Sequence, residues 1–258
     1  MRLLALSAVA MVMTTAVQAE VRTKVVDYRQ GNATLEGFLA WDDAFAGKRP
    51  GILVVHQWMG LTDYERMRAQ QLARLGYVAF AADVYGKGVR PTSAGEAGAI
   101  TGKYKGDRAL LRARVTAGLD ALRANDLADP KRIAAVGYCF GGTAVLELAR
   151  SGADLAGVVS FHGGLDAPDP TDGKTIRARV LVLHGADDPF NQPKDVAAFQ
   201  QEMRSGGVDW QMVYYGGAVH SFTQKEAGND PSKGAAYNAT ADRRSWEAMR
   251  IFFNEIFK

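Results

Sequence analysis

Residues 51–56 form a continuous apolar run, and that run constrains the fold more than any other feature of the chain. A strand that is apolar throughout must be covered on both faces, as the central strands of parallel sheets are. Further strand-like runs follow at 77–82, 132–137, 155–161, 179–184 and 208–215. Between them, residues 62–75 have helical spacing and stop at Gly76, a suitable C-terminal cap. Residues 103–124 carry Leu110, Leu111, Val115, Leu119 and Leu122 on related faces. Helices are also expected over 141–150 and 193–205. A last helix is expected from about Tyr237, carrying Trp246, Met249, Ile251, Phe252 and Phe253. Strands alternating with helices predict an α/β fold with a doubly wound, mostly parallel sheet. Two strands at 23–28 and 33–40, separated by the turn Gln30-Gly31-Asn32, precede this pattern. Residues 83–102, rich in Gly, Pro and Ser, are expected to form a long connection, functional or mobile. No repeat or linker divides the chain, which predicts a single domain. Ligands in such sheets bind beyond the carboxyl ends of the strands.

Composition narrows the function. With 47% apolar residues among 258, the chain has enough to bury a substantial core. Its net charge of +3 is scattered, which argues against a nucleic-acid partner. Arg2, the apolar stretch from Leu3 to about Val17 and the small-residue ending Val17-Gln18-Ala19 read as a secretory signal peptide over 1–19. Cleavage after Ala19 would leave a secreted or periplasmic domain of residues 20–258. The alternatives are a buried N-terminal helix or a membrane anchor, for which the stretch is short. No membrane partner is expected after cleavage, and a monomer is the favoured state.

The chain has one cysteine, Cys139, so an intramolecular disulfide is ruled out by count. An inert thiol, an intermolecular bridge or a chemically used thiol are the readings left. Cys139 lies in Gly137-Tyr138-Cys139-Phe140-Gly141-Gly142, between an expected strand and an expected helix. That is the nucleophile-elbow pattern, with cysteine where serine is commoner. A helix N-terminus at the sulfur favours the thiolate. A purely structural strand–turn–helix is the competing reading. His184-Gly185-Ala186-Asp187-Asp188-Pro189 follows another strand and offers a carboxylate to orient an imidazole. Asp188 is preferred to Asp187 by its spacing from the strand-end histidine. His220, in Gly216-Gly217-Ala218-Val219-His220-Ser221-Phe222, completes the order nucleophile, acid, histidine found in α/β-hydrolases. The loop His56-Gln57-Trp58-Met59-Gly60-Leu61 is expected to supply one oxyanion amide, from Trp58, and the elbow another, from Phe140. His184 is assigned a structural place in its turn and His162 a place in the pocket wall. The four histidines lack the paired spacing of a metal set.

With these three segments in order, the chain resembles the dienelactone hydrolase family from about residue 22 to its C-terminus. The resemblance implies an α/β-hydrolase fold in one domain without a large cap, and no cofactor. It implies a triad of Cys139, Asp188 and His220, with oxyanion amides at Trp58 and Phe140. The expected substrate is a small-molecule ester or lactone. Three positions depart from the family pattern. Gln57 stands where a glutamate helps to activate the thiol, and an amide takes no proton. Lys87, in Asp83-Val84-Tyr85-Gly86-Lys87, and Gln224 stand where two arginines hold a substrate carboxylate. Tyr85 is placed with them in the expected pocket. A resting Cys139 thiolate–His220 imidazolium pair is therefore predicted. The alternatives are a general carboxylesterase or thioesterase, a non-catalytic binding protein that keeps the fold, and a thiol-based sensor.

Overall fold

The structure, a computed structural model, describes residues 20–258; the expected signal peptide at 1–19 lies outside the described residues. One eight-stranded sheet organises the chain. Its strands are β1 (Val21–Gln30), β2 (Ala33–Asp42), β3 (Arg49–Val55), β4 (Val78–Ala82), β5 (Ala128–Tyr138), β6 (Gly157–Phe161), β7 (Arg179–Gly185) and β8 (Trp210–Tyr215). They lie in the order β1-β2-β4-β3-β5-β6-β7-β8. The β1–β2 hairpin pairs antiparallel at one edge, and β2 joins β4 antiparallel. Every pairing from β4 through β3 to β8 is parallel.

The helices are α1 (Asp63–Arg74), α2 (Ala94–Gly106), α3 (Arg108–Arg123), α4 (Phe140–Arg150), α5 (Pro193–Gly206) and α6 (Ala239–Ile256). Side chains alternate across a strand, so one apolar run feeds two cores. Leu53, Val55, Val158, Val180 and Val182 pack with Leu111, Val115 and Leu119 of α3, Val145 and Leu148 of α4 and Phe199 of α5. Ile52, Val54, Val159, Leu181 and Leu183 face the other way, against Leu72 of α1 and Met249, Phe252 and Phe253 of α6. The single domain and mostly parallel sheet agree with the sequence reading. Among the described residues no helix is long and apolar enough to cross a membrane.

One expectation is corrected. The helix predicted over 103–124 is two helices, and the supposed connection at 83–102 contains most of the first. Asp107 divides them: its carboxylate caps α3 by accepting from the Leu110 amide. In α2, only Ala97 and Tyr104 are buried. A helix so rich in alanine and glycine has no apolar stripe for periodicity to find. Its start is set by Ser93, whose hydroxyl accepts from the Glu96 amide.

A buried charge network fixes α4. The Arg150 side chain is 1% exposed and makes a two-pronged bond to Glu202 of α5, at 2.8 and 2.7 Å. Its remaining donors go to Glu147 at 2.9 Å and to the carbonyls of Asp166 and Leu165. All five guanidinium N–H groups are thereby used. Removing one partner of such a cluster strands buried charge. Arg150→Ala is expected to lower unfolding stability by about 3–5 kcal/mol in urea titrations; a loss below about 1 kcal/mol would show that the network contributes little.

Candidate active site

The elbow is built by steric exclusion. Cys139 takes φ 55° and ψ −116°, directly before α4. A Cβ at Gly137 would stand 1.9 Å from the Gly141 carbonyl oxygen, and one at Gly141 would stand 2.1 Å from that of Val55. Only hydrogen fits at either place, so the turn, the end of β3 and the start of α4 meet through bare backbone. His162 and Ser221 also have positive φ, at 39° and 57°. Every non-glycine residue with positive φ among the described residues is thus in or beside this site.

The structure brings Cys139, Asp188 and His220 together. Cys139 Sγ lies 3.1 Å from His220 Nε2, and His220 Nδ1 lies 2.9 Å from Asp188 Oδ2. Asp188 is buried, its Oδ1 accepting from the Phe190 amide and its Oδ2 also from Asn191 Nδ2. Asn191 reaches on to the Gly163 carbonyl, so the acid is held from two sides. Asp187 points elsewhere and accepts from the Gly217 amide. The amides of Trp58 and Phe140 are directed at Sγ, as the oxyanion assignment requires.

Electrostatics favour a separated charge pair. Burial pushes the Cys139 thiol up, but the adjacent His220 imidazolium, its hydrogen bond and the two amides together bring it below the ordinary thiol range. Burial opposes charge on His220, yet the Cys139 thiolate and Asp188 push it up to about 10. Each shift draws on the charge of the other partner.

The remaining expected residues lie around the cleft rather than in its lining. His162 is fully buried behind Cys139, not in a pocket wall. Its Nδ1 accepts from the Cys139 amide at 3.1 Å, which leaves the proton on Nε2, 2.8 Å from Thr223 Oγ1. Burial keeps its imidazole neutral. Tyr85 is buried beneath the 56–61 loop and donates to the Trp58 carbonyl. Lys87 pairs instead with Asp27 of the β1–β2 hairpin at 2.5 Å, where the antiparallel edge presents an acid. Gln57 and Gln224 are buried, and neither lines the cleft. His184 lies not in the turn but near the end of β7, where the strand carries one residue further, and stands edge-on to Tyr214. No group of acidic, histidine or cysteine residues able to hold a metal occurs among the described residues.

Sequence reasoning missed Glu65. This fully buried carboxylate accepts from the amides of Gln57 and Thr62 and from the Thr62 hydroxyl. It therefore clamps both ends of the loop that carries the Trp58 amide. The spacing Thr62-x-x-Glu65 is a capping box and was readable in the sequence. His56 supports the same loop as a neutral ring, its pKa pushed down to about 4 by burial. Its Nδ1 meets the Gln57 carbonyl at 2.6 Å and its Nε2 accepts from the Val84 amide.

Two measurements follow. Alkylation of Cys139 by iodoacetamide, read by mass spectrometry, should stay fast as pH falls below about 8.5, the free-thiol range. In His220→Ala that plateau should be lost; a wild-type rate falling tenfold per unit from about 8.5 downward would contradict the charge pair. Glu65→Ala should lower unfolding stability by roughly 1–3 kcal/mol, because one buried and one part-buried amide lose their acceptor; no change in a urea midpoint would count against the clamp.

Known proteins locate this arrangement. The model of the dienelactone hydrolase family matches residues 35–257. A dienelactone hydrolase-like promiscuous phosphotriesterase from metagenomic libraries is 44% identical, with a TM-score of 0.88 over 92% of this chain and 99% of its own. An uncharacterized protein of Caenorhabditis elegans is 35% identical over 57% of this chain and 94% of its own. A Bradyrhizobium protein named a probable 2-oxo-3-(5-oxofuran-2-ylidene)propanoate lactonase is 28% identical over 80% of this chain and 84% of its own. With a family match that runs from β2 to the end of α6, the chain belongs to the dienelactone hydrolase family.

Proposed function

We propose that this member of a hydrolase family cleaves esters or lactones with Cys139 as nucleophile, His220 as base and Asp188 as the orienting acid. The observation that carries the proposal is the chain of contacts from Sγ to Nε2 at 3.1 Å and from Nδ1 to Oδ2 at 2.9 Å. In this reading the thiol proton already resides on His220, since Gln57 can accept none. The thiolate adds to the substrate carbonyl, and the amides of Trp58 and Phe140 stabilise the oxyanion. The C–O bond to the leaving group then breaks, and the His220 imidazolium protonates the departing oxygen. A thioester on Cys139 remains. Neutral His220 next takes a proton from water as the hydroxide oxygen bonds to the thioester carbonyl. Collapse of that adduct expels the thiolate and releases the acid, restoring the resting pair.

The fixed tautomer is what this scheme needs from Asp188. An Nδ1–H held by the carboxylate leaves Nε2 to trade its proton with sulfur or water. Asn191 is the support for Asp188 itself.

Turnover of a small aryl ester, a thioester and a dienelactone by residues 20–258 should fall by about 10³-fold or more in Cys139→Ala. Equal turnover by wild type and variant would remove Cys139 from the nucleophile's role. Absence of turnover on all three would favour a binding protein that retains the fold.

A further inference from the structure

The cleft above Cys139 has a volume of about 410 Å³, the size of a small-molecule site. Its lining includes Trp58, Phe140 and Phe190. Phe190 is 64% exposed and stands edge-on to His220, with ring centres 5.1 Å apart. Large apolar rings held at the mouth of a polar site suit an apolar partner.

The cation that lines the cleft is paired with a carboxylate. Apart from Cys139 and His220, its charged lining residues are Lys105, from α2, and Asp166. The two are 3.6 Å apart, and Asp166 also accepts from Arg108 of α3. Asp166 is fixed by its own backbone, since its carbonyl accepts from Arg150 in the buried network. Both charged side chains are partly exposed, so their pairing adds little to stability. Its consequence is for recognition. The cation of the cleft comes with its own carboxylate, and a substrate carboxylate beside Lys105 would face Asp166. The cation of the sequence comparison, Lys87, is committed to Asp27.

We infer that the substrate is an uncharged ester or lactone bearing an aryl or apolar group, seated against Trp58 and Phe190, and that Asp166 enforces this by occupying Lys105. The inference rests on the hydrolase reading above and assigns the substrate class to the same site.

The test compares kcat/KM for phenyl acetate with two charged counterparts, 4-acetoxybenzoate and monophenyl succinate. These put a carboxylate on the leaving group or on the acyl group. Wild type should prefer phenyl acetate to both by about tenfold or more. In Asp166→Asn the ratio of charged to uncharged kcat/KM should rise about fivefold for at least one of them, and the rise should shrink with added salt. Lys105→Ala, with Asp166 kept, should move the ratio the opposite way. A wild-type preference for a charged ester, or ratios that neither variant moves, would overturn this inference and leave the hydrolase reading standing. No turnover of any of the three by wild type would overturn the hydrolase reading, and this one with it.

Discussion

The end of β3 and the turn between β5 and α4 touch without side chains between them, and the candidate site depends on that contact. At van der Waals distance, a single methyl at Gly141 would force Val55 and His56 away. With hydrogen there instead, the two loops share one small volume, and the amides of Trp58 and Phe140 converge on the same sulfur. The left-handed backbone of Cys139 is sustained by this enclosure, because an unsupported non-glycine residue would relax out of it. Its amide is held twice, by the Phe161 carbonyl and by His162.

Two buried arginines extend the enclosure outward. Arg150 ties α4 to α5 and to the strand-end segment that carries Asp166. On the other face, Arg68 of α1 pairs with Asp242 of α6 at 2.6 Å and donates to the Tyr64 hydroxyl and the Thr223 carbonyl. Tyr64 in turn meets Thr223, which meets His162. Cys139 is therefore braced on both sides of the sheet by largely buried charges. Polar networks of this kind are rigid when every member is paired.

Which features were legible in the sequence follows from how local their signals are. The elbow announces itself through glycines at fixed offsets around one cysteine, and the buried strands through unbroken apolar runs. The order of Cys139, Asp188 and His220 needs only the loop positions after β5, β7 and β8. The first turns of helix α2 were hidden because alanine and glycine carry no stripe; Lys105 fell within the expected helix, but nothing local places it at the cleft. Lys87 was assigned to the pocket by correspondence along the chain, yet its partner is set by the β1–β2 hairpin, which pairs across the sheet edge. Glu65 and Asn191 were overlooked for another reason. Each is a single polar residue whose role is visible only in the amides and carboxylates that surround it. A capping-box spacing marks Glu65 as a helix cap, but its hold on the Gln57 amide, like the hold of Asn191 on Asp188, is tertiary and no spacing rule reports it.

The thiol of Cys139 and the imidazole beside it are 81 residues apart in the chain. Before the strands from β6 to β8 are in register, Cys139 has no imidazole, no converging amides and no enclosing turn. In an unfolded chain the sulfur is that of an ordinary thiol. Since the chain has no second cysteine, that dormant sulfur finds no internal partner while folding proceeds. The surroundings of this sulfur are thus made by the tertiary fold, not by the segment that carries it.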